Sequence, residues 1–393
     1  MKENKFKNLV EIFWIATKLG LTSFGGPQAH LGYFREEYVK KRKWLDDGSY
    51  ADLIALAQFL PGPSSSQVGI GVGSARGGVL GGIAAFLGFT WPSALILALF
   101  AIFAQNLDPN AHAWLGGLQI VALAVVLHAV LGMAVKLTPD NKTKAIALGA
   151  LVTMLVWQSR VTQVTILVVA GFVGYLFFKT PLHEELKNTA FKVSKAFGAT
   201  CLAIFFILLL VVPFISGAVD NQWLSLFDPI FRSGAMVFGG GHVVLPLLEA
   251  EFVPTGLMYA DTFLAGFGMT QAMPGPLFTF ASYIGAVMQG WLGALVGIIA
   301  IFLPGMLLLY GCLPFWETLR RNAMIKRALV GLNAAVVGIL LAAFYNPIWR
   351  NSIFQPVDFA LFAVLFAGLS YWKLPPWIIV IAGAVGGLLI GML

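Results

Sequence analysis

The sequence predicts an all-α polytopic membrane protein. It is built from two inverted-topology repeats, with discontinuous or re-entrant half-helices at duplicated Phe-Gly-Gly and Pro-Gly-Pro motifs. Three observations predict this: an apolar composition, an internal repeat, and a one-sided distribution of Lys and Arg. Of the 393 residues, 59% are apolar and 11% charged, with a mean hydropathy of +0.84. Soluble domains carry about 25% charged residues. So few charges cannot cover a large soluble surface, and successive apolar stretches of spanning length read as transmembrane helices. The net charge of +7 does not point to nucleic acid, because the cations fall in short loops between apolar segments. No small-residue cleavage site follows Lys2, Lys5 and Lys7, so no signal peptide is expected. Cys201 and Cys312 lie in apolar segments, where neither a disulfide nor a metal site is expected.

The repeat is read from ordered matches. Phe24-Gly25-Gly26 recurs as Phe238-Gly239-Gly240, an offset of 214. Gln58 and Pro61-Gly62-Pro63 recur as Gln271 and Pro274-Gly275-Pro276, an offset of 213. Trp91-Pro92 recurs as Leu303-Pro304, an offset of 212. The first repeat continues with apolar stretches near 77–106, 112–136, 142–158 and 160–178. The second has them near 290–317, 324–346, 355–372 and 375–393. The division expected is 1–178, a Lys-rich linker with one unpaired helix at 179–221, and 222–393.

Charge supplies orientation. The segment after the first FGG carries Arg35, Lys40, Lys41, Arg42 and Lys43, whereas no Lys or Arg occurs between Arg232 and Arg320. By the positive-inside rule the first segment is cytoplasmic and its counterpart external. An odd number of stretches separates the two PGP motifs, so the repeats are inverted. That places the N-terminus inside and the C-terminus outside the cytoplasmic membrane. Inverted repeats are a signature of secondary transporters, with the site near midplane at the repeat interface. The FGG segments either enter the membrane and return or cross it fully with the PGP segments crossing back.

Proline ends a helix, glycine permits a sharp reversal, and Pro63 or Pro276 suits the first position of the helix that follows. The amides of Ser64, Ser65 and Ser66 then need partners, and an anion at a helix N-terminus is one solution. Thr279 supplies the nearby hydroxyl in the second repeat. Lys18 and Arg232, each six residues before an FGG phenylalanine, are the intramembrane cations that would line a pathway. His242 is a candidate donor. Asp52 and Asp261 are the candidates for proton coupling, Asp261 also reading as a helix N-cap.

The stretches "LGLTSFGGPQAHLGYFREEYV", "YADLIALAQFLPGPSSSQVGIGVG", "FGGGHVVLPLLEAEF" and "TQAMPGPLFTFASYIGA" closely resemble the chromate transporter family over nearly the whole chain. The resemblance implies a long-chain, two-domain member that exports chromate, with sulfate as the look-alike anion. The second repeat departs from the first at Gly241 in place of Pro27, and it lacks a counterpart of Trp44. The expected partners are chromate and sulfate, a proton or counter-anion as coupling ion, the bilayer, and a second copy in a homodimer. No nucleotide loop or redox ligand set is present, so no cofactor and no enzymatic activity are expected. A passive anion channel is the rival reading.

Overall fold

The computed structural model describes residues 2–24, 26–105, 113–157, 160–178, 193–238 and 244–392. Among these the chain is helical, with no strand. The first repeat contributes α1 (Lys2–Thr22), α2 (Gly26–Phe34), α3 (Asp47–Phe59), α4 (Ser64–Gln105), α5 (Ala113–Leu137), α6 (Asn141–Val156) and α7 (Arg160–Phe177). Then follow α8 (Lys195–Ala218), α9 (Gln222–Ala235), α10 (Val244–Phe252), α11 (Ala260–Thr270) and α12 (Phe280–Cys312). The chain ends with α13 (Trp316–Arg321), α14 (Ala323–Ala343), α15 (Pro356–Ser370) and α16 (Pro376–Ile390). Among the described residues five helices are long and apolar enough to cross a membrane: Ser64–Ala104, Trp114–Leu137, Lys195–Ala218, Leu277–Phe315 and Ala323–Asn346. The protein is therefore an all-α polytopic membrane protein.

The helices form two compact units. One comprises Met1–Phe100, Leu182–Gly241 and Pro274–Asn322; the other comprises Ala101–Pro181, His242–Met273 and Ala323–Leu393. In the first unit side-chain caps set the starts of α3 and α9. Asp46 caps α3 by accepting from the Ser49 amide at 3.0 Å, and Asn221 caps α9 through Trp223 at 2.9 Å. Such caps satisfy amides that a helix leaves unpaired.

Three segments of this unit meet at Glu11. Glu11 of α1 accepts from Arg42 at 3.1 Å and from Arg76 at 3.1 Å. Arg42 follows the π-helical extension of α2 (Arg35–Lys41), and Arg76 lies in the first part of α4. Both guanidiniums lie over Trp44, at 5.9 and 4.9 Å from the ring centroid. From Glu11 to the FGG break α1 advances about 20 Å, and α2 with its extension comes back by a similar length at ~1.5 Å per residue. The chain through the FGG segment thus doubles back on itself. The PGP segment does the same: a Cβ on Gly71 would meet the Leu53 side chain at 2.6 Å, so α3 and the start of α4 lie back to back from Pro61-Gly62-Pro63.

The sequence reads 77–106 as one stretch after a half-helix, and the structure supplies the turn between them. Gly78 takes φ 67°, ψ −161°, and its counterpart Gly290 in α12 takes φ 60°, ψ −147°. These left-handed values are open to glycine and strained for other residues. Gly73 packs on Gly81 and Gly285 on Gly293, so both long helices are hairpins folded on glycine. α8, the helix without a counterpart, packs on α9 and α12 and leaves Phe206, Leu210 and Phe214 exposed, as a lipid-facing helix does.

In the second unit α5 packs against α11, α15 and α16, while α14 packs against α6 and α7. Gly117 of α5 meets Gly383 of α16, and Gly331 of α14 meets Ala170 of α7. These contacts exchange equivalent helices of the two repeats, and the small residues let the backbones approach. Asp261 stands in the first turn of α11, exposed, while Tyr259 holds the cap position that the sequence assigns to Asp261.

Candidate functional site

The breaks of the two repeats pair reciprocally in the first unit. The Gly62 amide donates to the Val237 carbonyl at 2.8 Å, and the Gly275 amide donates to the Ser23 carbonyl at 2.9 Å. Each PGP turn is thus bonded to the residue before the FGG of the other repeat. Gly62 and Gly275 take φ 115° and 94°. A Cβ on Gly62 would meet the Gly305 Cα at 3.1 Å, and one on Gly275 would meet the Ser93 hydroxyl at 3.1 Å. Both positions therefore require glycine on conformation and on space.

Pro63 does not open α4, as the sequence suggests. It stands one residue earlier, and its carbonyl accepts the Gln67 amide at 2.9 Å. Pro276, at the same place in the second repeat, likewise precedes its helix, extended at ψ 131° with its carbonyl accepting the Thr279 amide. Ser64, Ser65 and Ser66 then form the first turn of α4, and among the described residues their amides have no acceptor. A helix start of this kind carries about half a positive charge.

Polar side chains gather at this turn. His30, in α2, is 1% exposed; its Nδ1 lies 3.3 Å from the Ser65 hydroxyl, and its ring stands edge-on to Phe89. His30 also lies beside the Ser23 backbone. The Gln67 side chain donates to the carbonyls of Pro61 at 3.0 Å and Gly305 at 3.1 Å, tying the turn to α12. Buried polar atoms without a partner among the described residues include Ser23 Oγ, His30 Nε2, Ser66 Oγ, Gln67 Oε1 and Thr90 Oγ1. Such groups are rare in folded proteins, and each calls for water or a ligand. Gln67 Oε1 is an acceptor, so its missing partner is a donor such as water.

The second repeat is different at the same positions. Leu277, Phe278, Thr279 and Phe280 replace Ser64, Ser65, Ser66 and Gln67, and Phe302 replaces Thr90. Phe278 packs on Phe302, and Phe280 stacks on Tyr283. Thr279 directs both its amide, at 3.0 Å, and its hydroxyl, at 2.7 Å, to the Pro276 carbonyl. Its donors are occupied by the chain itself. Among the described residues, the free side-chain donors at a Pro-Gly-Pro helix start are those of the first repeat.

The remaining residues expected at the site divide. Phe24 and Gly26 are half-buried at the break, and α2 starts at Gly26. Arg232 grips Asp228 through two bonds, Nε–Oδ1 at 3.0 Å and Nη2–Oδ2 at 2.8 Å. Lys18, its counterpart, has an exposed side chain, as does Gln58. Gln271 and Pro274 lie in different units, Gln271 buried with Nε2 unpartnered and Pro274 half-buried. Gly25, Gly239, Gly240 and His242 lie outside the described residues. Sequence reasoning missed Ser23, His30, Gln67 and Thr90. The signal was available in the comparison of repeats, where four polar residues of the first face Val237, Val244, Phe280 and Phe302 of the second.

The chain matches the family described as "Chromate transporter" twice, over residues 10–175 and 224–388. It belongs to the chromate transporter family. Among its relatives, a chromate transport protein of Pseudomonas aeruginosa is 28% identical over 97% of this chain and 92% of that protein. A chromate transport protein of Cupriavidus metallidurans is 27% identical over 94% and 90%. A transporter of Methanocaldococcus jannaschii, described as uncharacterised, is 26% identical over 87% and 85%. No solved structure matches the chain. Like these chromate transporters the chain is of the two-domain form, is a transporter rather than an enzyme, and has chromate as its family's substrate.

Proposed function

We propose that the protein is a secondary active carrier that exports chromate across the cytoplasmic membrane, driven by an ion gradient. The observation that carries the reading is the buried, unpartnered Ser66 hydroxyl at the uncapped first turn of α4, with His30, whose Nε2 is also unpartnered, beside Ser65. Chromate and sulfate are tetrahedral dianions of similar size. Ser64, Ser65 and Ser66 offer amides and hydroxyls, and His30 offers a ring nitrogen. Arg232 is already engaged by Asp228, so the site holds its anion largely through neutral donors. Such a site binds firmly enough to load and weakly enough to release, as transport requires.

The repeats are inverted in this reading. The reciprocal bonds of Gly62 with Val237 and of Gly275 with Ser23 support it, and so does the charge contrast between residues 35–43 and 249–257. The Glu11–Arg42–Arg76 level is then cytoplasmic, the N-terminus inside and the C-terminus outside. The test is flux of labelled chromate and labelled sulfate in proteoliposomes, with pH and membrane potential varied separately. A carrier gives saturable flux that responds to an imposed gradient. Flux that does not saturate and ignores proton and counter-anion gradients identifies a channel.

A further inference from the structure

The second unit holds a buried acid that the anion site does not use. Glu249 lies in α10, which is nine residues long. At ~1.5 Å per residue α10 is too short to cross a bilayer. Its side chain is buried, and among the described residues it makes no hydrogen bond or ion pair. Its equivalent in the first repeat, at the offset of the FGG motifs, is Arg35, which is exposed and bonded to Asp47 at 2.8 Å. Its neighbour Glu251 has an acidic equivalent, Glu37, which is held by Arg42 at 2.9 Å. Glu249 is thus a carboxyl present in one repeat only, with no cation bonded to it among the described residues.

We propose that Glu249 is the carboxyl that carries the coupling proton of the transport cycle. The proposal rests on the carrier reading above. An ionised carboxylate without a partner is costly to bury, so the group is neutralised by a cation or a proton. Among the described residues no Lys or Arg forms an ion pair with Glu249, including Lys326 and Arg327 of α14, which packs against α10. The titratable groups on the elements packed against α10 are Asp261 of α11 and Lys326 and Arg327 of α14, with Glu251 on α10 itself. None of them offsets the burial, which alone pushes Glu249 up to about 7. The carboxylate takes a proton from water on the side it faces while buried. It returns that proton to water when the cycle exposes it to the other side. Neither bond making nor electron transfer beyond that single O–H is required. The two candidates read from the sequence fit less well, since Asp261 is exposed and Asp52 is not free of partners.

The experiment uses the full chain in proteoliposomes, as wild type, Glu249→Gln and Glu249→Asp. An imposed pH gradient should accelerate wild-type chromate flux. Glu249→Gln should lose at least about tenfold of that gradient-driven component, while its equilibrium affinity for chromate stays within about threefold. Glu249→Asp should keep most of it. Glu249→Gln with the wild-type response overturns the proposal. A second readout does not depend on chromate. Infrared difference spectra between about pH 6 and pH 8 should show a protonated-carboxyl band that Glu249→Gln removes. A band that survives the substitution also overturns the proposal. Vesicles that carry no chromate yet show the band would count against the carrier reading alone.

Discussion

Replacing Arg232 by alanine should destabilise the protein before it alters any anion contact. Arg232 and Asp228 are one helical turn apart near the end of α9, with side chains 17% and 8% exposed. Truncating the arginine leaves a buried carboxylate with its two shortest bonds gone. Breaking a buried pair from one side costs about 3–5 kcal/mol. That is roughly two to four decades in the folded-to-unfolded ratio, at about 1.4 kcal/mol per decade. The double variant Asp228→Asn/Arg232→Ala removes the stranded charge and should recover most of the loss. The assay is thermal unfolding of purified protein, with membrane abundance alongside. Single-variant stability equal to wild type would refute the reasoning, because the geometry then carries no energy. The double variant should also carry chromate at a rate within about threefold of wild type. A stable but silent double variant would move Arg232 from supporting α9 to serving the anion.

Other outcomes follow from the same geometry. Ser66→Ala should weaken chromate binding by about one to two decades, since a hydrogen bond to a charged group is worth about 1.5–3 kcal/mol; titration calorimetry checks it, and Thr279→Val should change affinity far less. Single cysteines at Lys41 and Thr255, in a background lacking Cys201 and Cys312, should label from opposite sides with an impermeant thiol reagent; labelling of both from outside contradicts the inverted arrangement. Glu249 makes stability pH-dependent with a definite sign. Because the folded protein binds its proton more tightly than the unfolded chain, this stability is fully present below the ordinary 4.5 and is lost as pH rises through about 7. Glu249→Gln should flatten that slope in unfolding measured across the same range.

Much of this architecture is legible in the sequence, for reasons that lie in particular residues. The breaks announce themselves because only glycine fits at Gly62 and Gly275, where both φ and the neighbouring chain exclude a side chain. The helices 112–136, 142–158 and 160–178 reappear as α5, α6 and α7 because loop cations and caps such as Asp140 bound them. The boundary near Gly78 is marked in the sequence by Arg76, which ends the half-helix, while the sharpness of the reversal rests on the positive φ of Gly78 that a glycine among many glycines does not announce. The Asp228–Arg232 pair has the i, i+4 spacing of a helical ion pair, yet matching Arg232 to Lys18 draws attention to the cation and away from its acid. The two repeats differ in polarity around their breaks: His30, Gln67 and Thr90 stand against Val244, Phe280 and Phe302, and the Ser66 hydroxyl has no partner among the described residues whereas that of Thr279 is bonded to Pro276. A motif search finds what the repeats share; the chemistry lies where they differ.

The central claim is that an oxyanion sits at the first turn of α4. Cryo-electron microscopy of the full protein in chromate, compared with the same protein in anion-free buffer, tests it most directly. The account predicts a compact density in the chromate map at about 3 Å, hydrogen-bond distance, from the amides of Ser64, Ser65 and Ser66, beside His30 and the Ser66 hydroxyl. Chromate density elsewhere, with those amides capped by protein groups, would contradict it and leave the Pro-Gly-Pro breaks with a structural role alone.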